Sequence, residues 1–375
     1  MNKKNLIIIM IDGGRYDRAI NSSLFKKLEA NSIFFSNSIT YGPHTIAAMH
    51  AVFSGSYGTR TGTNSYWSTF KFKKDEFKTL TEYFKNMNFV THADVINKLV
   101  IPKQGFDNFI IHDEINDNLT SRHIELLEKI NRSFLDGKNY FLYLHYSKIH
   151  TGIMNEVLKI YNNFSEEYFS NKKKNESRYD ELFCNAEMYL DKILEKIYSL
   201  EIDKNSIILI MSDHGISIGE KIGERAYGAF CYDYTLKTFT YFLIPGFMAK
   251  NITQQVRTID FLPTILELFE IPIDEDFKKI DGRSLVPIIN GEKIDEDFAF
   301  SETGNPQNDS APPKEPNVKS IRTSEWKLIF NEYNDTKELY NLSIDPDENN
   351  NLIGKNENME QVLWEKLKQV SEKTS

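Results

Sequence analysis

Asp213 and His214 stand side by side in Ser212-Asp213-His214-Gly215, directly after the apolar run Ile207 to Met211. A carboxylate beside an imidazole at the end of a buried strand is expensive to desolvate unless both groups bind something. One hard oxygen with one nitrogen suits Zn²⁺ or Mn²⁺, and Mg²⁺ or Ca²⁺ less well. Asp12 follows the run Leu6 to Ile11 in the same way, although alone it reads as the cap of a following turn. His145 and His150 follow Tyr140 to Leu144. Thr45 opens a segment, Pro43 to Gly55, that reads as a helix starting at Thr45 and stopping at Gly55. Two readings of Thr45 stay open. It is a plain N-cap, or it attacks a tetrahedral anion whose oxygens rest on the N–H groups of the helix start. A threonine hydroxyl is a poor nucleophile unless a metal lowers its pKa, so the second reading needs the carboxylates and His214 close by.

Bringing residues 12, 45, 145, 150, 213 and 214 together demands a particular scaffold. The runs at Leu6–Ile11, Tyr140–Leu144, Ile207–Met211 and Phe239–Ile244 are short and apolar on both faces, as buried central strands of a parallel sheet are. Leu182, Ala186, Tyr189, Ile193 and Ile197 fall at helical spacing, as do Phe261, Ile265 and Leu268. Strands alternating with helices predict an α/β fold with a mostly parallel sheet. In such a sheet ligands collect at the carboxyl ends of the strands, where three of the four runs end in residues a catalyst could use.

The pattern changes after about Gly291. Gly304 to Pro316 reads as a loop, and Lys172-Lys173-Lys174-Asn175 as a solvated loop or helix start. Val318–Thr323, Trp326–Tyr333 and Glu338–Leu342 read as short antiparallel strands, and Glu357–Glu372 as an amphipathic helix. The expected division is 1–300 as the catalytic α/β domain and 301–375 as a subdomain packed on it. The chain has 375 residues, 40% of them apolar and 26% charged, with a net charge of −9. That balance gives no support to nucleic-acid binding. Two distant cysteines, Cys184 and Cys231, are no disulfide framework. The apolar run after Lys3-Lys4 is too short for a signal peptide, and no run reaches the roughly 20 apolar residues of a membrane helix. A cytoplasmic protein without a membrane anchor is expected, with a homo-oligomer left open.

Taken together, these segments resemble the sulfatase family of the alkaline-phosphatase superfamily. Asn5 to Asp12 with Gly13-Gly14-Arg15-Tyr16-Asp17 is similar to its opening metal strand. Thr45 to Gly55 resembles its nucleophile helix, and Phe141–Leu144 with His145 and His150 its strand bearing a substrate-side histidine. Ser212 to Gly215 resembles its metal motif. Asp260 to Leu266, Asp281-Gly282-Arg283-Ser284-Leu285 and Glu338 to Leu342 with Asp345-Pro346 are similar to later signatures. The resemblance implies Asp12, Thr45, Asp213 and His214 as ligands of one divalent metal, Zn or Mn, with Ca or Mg as alternatives. It implies Thr45, His150 and His145 as catalytic residues, and a small anionic ester as substrate. His44, Lys221 and Arg225 are the expected substrate-binding residues.

Three departures bear on the reaction. A sulfatase carries Cys or Ser at the nucleophile, followed by Pro and Arg, and converts it to formylglycine; Thr45-Ile46-Ala47-Ala48-Met49 has none of these. Gly13 stands where many sulfatases have another metal-binding Asp, and Tyr227 where relatives often have Lys or His. The set is similar to that of the superfamily's threonine-dependent phosphotransferases, which act on phosphoethanolamine or glycerol phosphate. The resemblance therefore implies a metal-dependent hydrolase of phosphate mono- or diesters or phosphonate esters, or a phosphotransferase, working through phosphothreonine. The alternatives are a sulfuric ester hydrolase with an unmodified threonine and an inactive binding protein.

Overall fold

The computed structural model describes residues 5–65, 68, 71–154, 166–224, 226–306 and 313–374. Its strands are β1 (Asn5–Ile11), β2 (Ile33–Ile39), β3 (Val90–Val95), β4 (Asn108–Ile111), β5 (Tyr140–Tyr146), β6 (Ser206–Ser212), β7 (Lys237–Leu243), β8 (Lys250–Ile252) and β9 (Val256–Arg257) in one sheet. The sheet runs in the order β4-β3-β5-β1-β6-β7-β2-β8, with β9 also on β2. A second sheet holds β10 (Ala299–Thr303), β11 (Val318–Arg322), β12 (Trp326–Asn331) and β13 (Thr336–Asn341) in sequential order. The helices of eight residues or more are α1 (Thr45–Ser54), α2 (Leu119–Leu135), α3 (Lys172–Ser199), α4 (Phe261–Leu268) and α5 (Glu357–Thr374).

The apolar runs become central strands because both their faces are covered. In β1, Ile7, Ile9 and Ile11 enter one core cluster with α2 and α3, while Leu6, Ile8 and Met10 enter the other with α1 and α4. Fully burying such a side chain stabilises the fold by about 1.5–3 kcal/mol. β1 is parallel to β5 and β6, and β3 is parallel to β4 and β5, so five strands present their carboxyl ends at one edge. β7 departs from the expected parallel direction: it runs antiparallel to both β6 and β2. Burial on two faces makes a run apolar whichever way the chain passes, so its composition carries no direction.

Lys172-Lys173-Lys174-Asn175 is the start of α3, whose Tyr179, Phe183, Ala186, Tyr189, Leu190, Ile193 and Ile197 are buried. The second sheet is antiparallel throughout. Its Phe300, Ile321, Leu328 and Leu339 share a core cluster with Ala47 and Ala51 of α1 and with Leu363 and Leu367 of α5. The helix that carries Thr45 is therefore clamped between the two sheets. No helix among the described residues is long and apolar enough to cross a membrane.

Candidate active site

β1 and β6 are adjacent and parallel, with Ile11 opposite Ser212, so the residues that follow them, Asp12 and Asp213, emerge side by side. Gly13 turns the chain away with φ +73° and donates its N–H to Asp213 Oδ1 at 3.1 Å. A side chain at 13 would be strained in that conformation, and its Cβ would press on Ile216 at 3.0 Å. The position therefore contributes a backbone donor instead of a carboxylate.

The helix start differs from expectation in one respect that matters. The N-cap of α1 is His44, whose Nδ1 accepts from the Ala47 N–H at 3.4 Å, and Gly55 at φ +62° stops the helix. Thr45 is the first helical residue, so its hydroxyl has no capping duty. Thr45 Oγ1 lies 3.3 Å from Asp12 Oδ2 and 3.4 Å from His214 Nε2. The Ala47 N–H is committed to His44, so it is not among the donors available to an anion. His44 is buried, and burial with the neighbouring His214 pushes its imidazole down to about 3. It stands at the site as a neutral ring rather than a cation.

His214 and the two carboxylates converge. Its Nδ1 faces the Gly215 carbonyl at 2.8 Å, which places the proton there and leaves the Nε2 lone pair pointing inward. That Nε2 is 3.6 Å from Asp12 Oδ1 and 3.5 Å from Asp213 Oδ2. Both of those oxygens are buried and lack any hydrogen-bond partner. Two orphaned carboxylate oxygens facing one lone pair are what a divalent cation requires, so Asp12, Asp213 and His214 fit the metal that the sequence implied. Burial alone would raise Asp12, but His150, His145 and His214 draw it down to about 2. Asp213 is raised by burial, with Asp12 adding to the effect.

His145 lies inside β5 rather than beyond it, because that strand continues to Tyr146. Its Nε2 is 3.0 Å from Asp12 Oδ2. The ring thus meets the Asp12 carboxylate directly and is placed to orient it. His150 comes from the helical turn Lys148–Gly152. Its Nε2 is 2.6 Å from the Tyr227 hydroxyl, and its Nδ1 is 3.9 Å from Glu114 Oε1. The Tyr227 ring lies 4.8 Å from that of His214 and 5.6 Å from that of His150.

Tyr227 is the site residue that sequence reasoning registered only as a departure. Its loop is fixed by buried Glu224, whose Oε1 accepts from the Ala229 and Phe230 N–H groups at 2.9 and 2.8 Å. Lys221, expected at the substrate, is engaged elsewhere. Its ammonium donates to the Glu348 carbonyl and sits 4.8 Å over the Tyr232 ring and 5.8 Å over Tyr340. Arg225 lies outside the described residues.

A mostly parallel α/β sheet with carboxylates, an imidazole and a threonine hydroxyl at its carboxyl edge, plus a small antiparallel sheet, defines the sulfatase and alkaline-phosphatase class of fold. The chain belongs to the sulfatase family. The model described as Sulfatase matches residues 4–271, and one described as N-sulphoglucosamine sulphohydrolase, C-terminal, matches residues 227–373. It is similar to the N-acetylglucosamine-6-O-sulfatase of Bacteroides thetaiotaomicron, 32% identical over 174 residues. That match covers 44% of this chain and 29% of the relative, so the chain spans less than a third of that protein. Among solved structures it resembles a protein in complex with its substrate D-glucosamine-2-N,6-O-disulfate, with TM-score 0.75, 17% identity, and 99% and 98% of the two chains covered. It also resembles the phosphonate monoester hydrolase of Agrobacterium radiobacter, with TM-score 0.76, 13% identity, and 100% and 96% covered.

Proposed function

We propose that this chain hydrolyses phosphate or phosphonate esters, or transfers their phosphoryl group, through a covalent phosphothreonine at Thr45. The observation that carries the reading is the position of the Thr45 hydroxyl, relieved of capping by His44 and set against Asp12 and His214. Asp12, Asp213, His214 and Thr45 would hold one divalent ion, Zn or Mn first, with Ca or Mg as alternatives. Such an ion supplies positive charge that favours ionisation of the hydroxyl and offsets charge on the transferring group. Asp12 accepts from the Thr45 hydroxyl and fixes its direction. The N-terminus of α1 faces the developing negative charge. His150, steadied by Tyr227, protonates the leaving oxygen or holds the substrate. Water then releases the group from Thr45.

A second reading, sulfate-ester hydrolysis with an unmodified threonine, is favoured by the sulfatase relatives. The run Thr45-Ile46-Ala47-Ala48-Met49 argues against it, because the Pro and Arg of the formylglycine pattern are missing. A cytoplasmic site of action belongs to the same proposal; among the described residues both cysteines are unpaired, Cys184 exposed and Cys231 buried.

One panel decides between the readings: phosphate monoesters, diesters, phosphonate esters and sulfate esters, each with the trapped enzyme analysed by mass spectrometry. Phosphorus esters should turn over and leave a phosphate mass on the peptide bearing Thr45. Turnover of sulfate esters alone would establish the second reading and overturn the first. Asp213→Ala and His214→Ala should each lose activity together with the metal of this site.

A further inference from the structure

A second polar cluster lies along the same carboxyl edge, and no step of the proposed reaction uses it. Asp94 sits near the end of β3, His112 directly follows β4, and His123 is on α2. All three are buried. Among the described residues, only two groups of His, Cys, Asp and Glu bring three ligand atoms within 4.8 Å of one another: this one and Asp12–Asp213–His214.

We propose that Asp94, His112 and His123 form a second metal site, taking a divalent transition ion of the Zn²⁺ type and separate from the ion of the Thr45 site. The inner atoms converge. Asp94 Oδ1 is 2.6 Å from His112 Nδ1 and 3.5 Å from His123 Nε2. His123 is fully buried, and its Nε2 faces that oxygen at 3.5 Å with no closer polar partner. The outer atoms are each held by another group. His112 Nε2 is 3.0 Å from Ser147 Oγ, His123 Nδ1 is 2.7 Å from the Tyr189 hydroxyl, and Asp94 Oδ2 accepts from Arg122 Nε at 2.6 Å. Partners on the outer atoms fix the tautomer and orientation of metal-ligating imidazoles and carboxylates. Two imidazoles with one carboxylate select zinc or its first-row neighbours over calcium and magnesium.

Arg122 neutralises the outer oxygen of Asp94 and leaves the inner one to the cluster. When an ion enters, His112 changes tautomer. Its proton leaves Nδ1 and is carried at Nε2, and the Ser147 hydroxyl rotates to accept it, so no net proton is released. The site would tie β3, the segment after β4 and α2 behind His145, whose ring lies 6.1 Å from that of His112. The competing account is a hydrogen-bonded network without an ion, in which a proton on His123 Nε2 points at Asp94.

Metal content separates the two, using full-length protein stripped by chelation, reloaded with zinc alone and desalted. The wild type should hold two equivalents. The double variant Asp12→Ala/Asp213→Ala should hold one, with an X-ray absorption spectrum showing two imidazoles and no sulfur. His123→Gln should lower the wild-type count by one. Because the double variant leaves the second cluster intact, the test does not depend on the folding of a His123 variant. A double variant that binds no zinc, or a folded His123→Gln protein that keeps the full wild-type complement, overturns the proposal. One equivalent in the double variant with no phosphoryl transfer by the wild type would sink the reaction proposed for Thr45 while leaving this site standing.

Discussion

At the residue scale, the chemistry turns on which atom has no other duty. His44 takes the cap of α1, so the Thr45 hydroxyl is spent on neither the backbone nor the core. Thr45→Ala should therefore cost little stability, less than the ~1 kcal/mol typical of a lost N-cap, while activity falls by roughly several powers of ten. Thr45→Ser should keep part of the activity. Turnover by Thr45→Ala near the wild-type rate would mean that water attacks directly and that no phosphothreonine forms. Tyr227→Phe removes the hydroxyl 2.6 Å from His150 and leaves the ring beside His214. If His150 serves the leaving group, the loss should be greatest for esters of poorly acidic alcohols and small for esters of acidic phenols. An equal loss for both would make Tyr227 a packing residue.

At the scale of elements, legibility followed burial. β1, β5 and β6 could be read because both faces are covered and the runs are unbroken, and their ends delivered Asp12, His145, Asp213 and His214. β3 could not be read, since Thr91, His92 and Asp94 interrupt it, and β4 is mostly exposed. The Asp94–His112–His123 cluster went unread with them, although the rule that led to Asp12 applies equally to a carboxylate near the end of β3. Lys221 was misplaced for a different reason: the length of its side chain lets its ammonium reach Glu348 and two tyrosines, and no local pattern encodes that choice. The start of α1 offers a test at this scale. His44→Ala should destabilise the protein by about 1 kcal/mol through the lost cap, and His44→Asn should restore most of that. If His44 also meets the substrate, both variants should raise KM alike. Restoration of KM by Asn would confine His44 to capping.

At the scale of the whole molecule, the segment after β2 is held to the second sheet by a buried carboxyl that resists ionisation. Glu302 on β10 accepts from the Tyr41 hydroxyl, and its N–H donates to the Tyr41 carbonyl at 3.1 Å. Burial pushes Glu302 up to about 7, and Glu224, behind the Tyr227 loop, is likewise pushed up to about 7 by burial. In the unfolded chain both would ionise near 4.5. Below that value each is protonated in both states and contributes no pH dependence. Between the two values the unfolded chain gives up a proton that the folded chain keeps, so stability falls as pH rises, and above about 7 the loss is complete. Asp94 and Asp233 act in the opposite sense. Asp94 is held below the carboxylate range, against the cost of its burial, by His112, His123 and Arg122, and Asp233 is held down against the same cost by Arg322 and Lys327. Their stabilisation is present above 3.8 and lost as pH drops through their lower folded values. From these four groups stability is greatest between about 3.8 and 4.5 and declines from there toward pH 7. Glu302→Gln keeps an acceptor for Tyr41 and removes one ionisation, which at full effect is worth on the order of 3 kcal/mol. Its melting temperature should match that of the wild type at about pH 4.5, exceed it by a few degrees at about pH 8, and follow a flatter course between them. Melting curves for wild type and Glu302→Gln that run parallel across this range would show that Glu302 is already ionised in the folded protein, and that the seam between the sheets holds a charge instead of a proton.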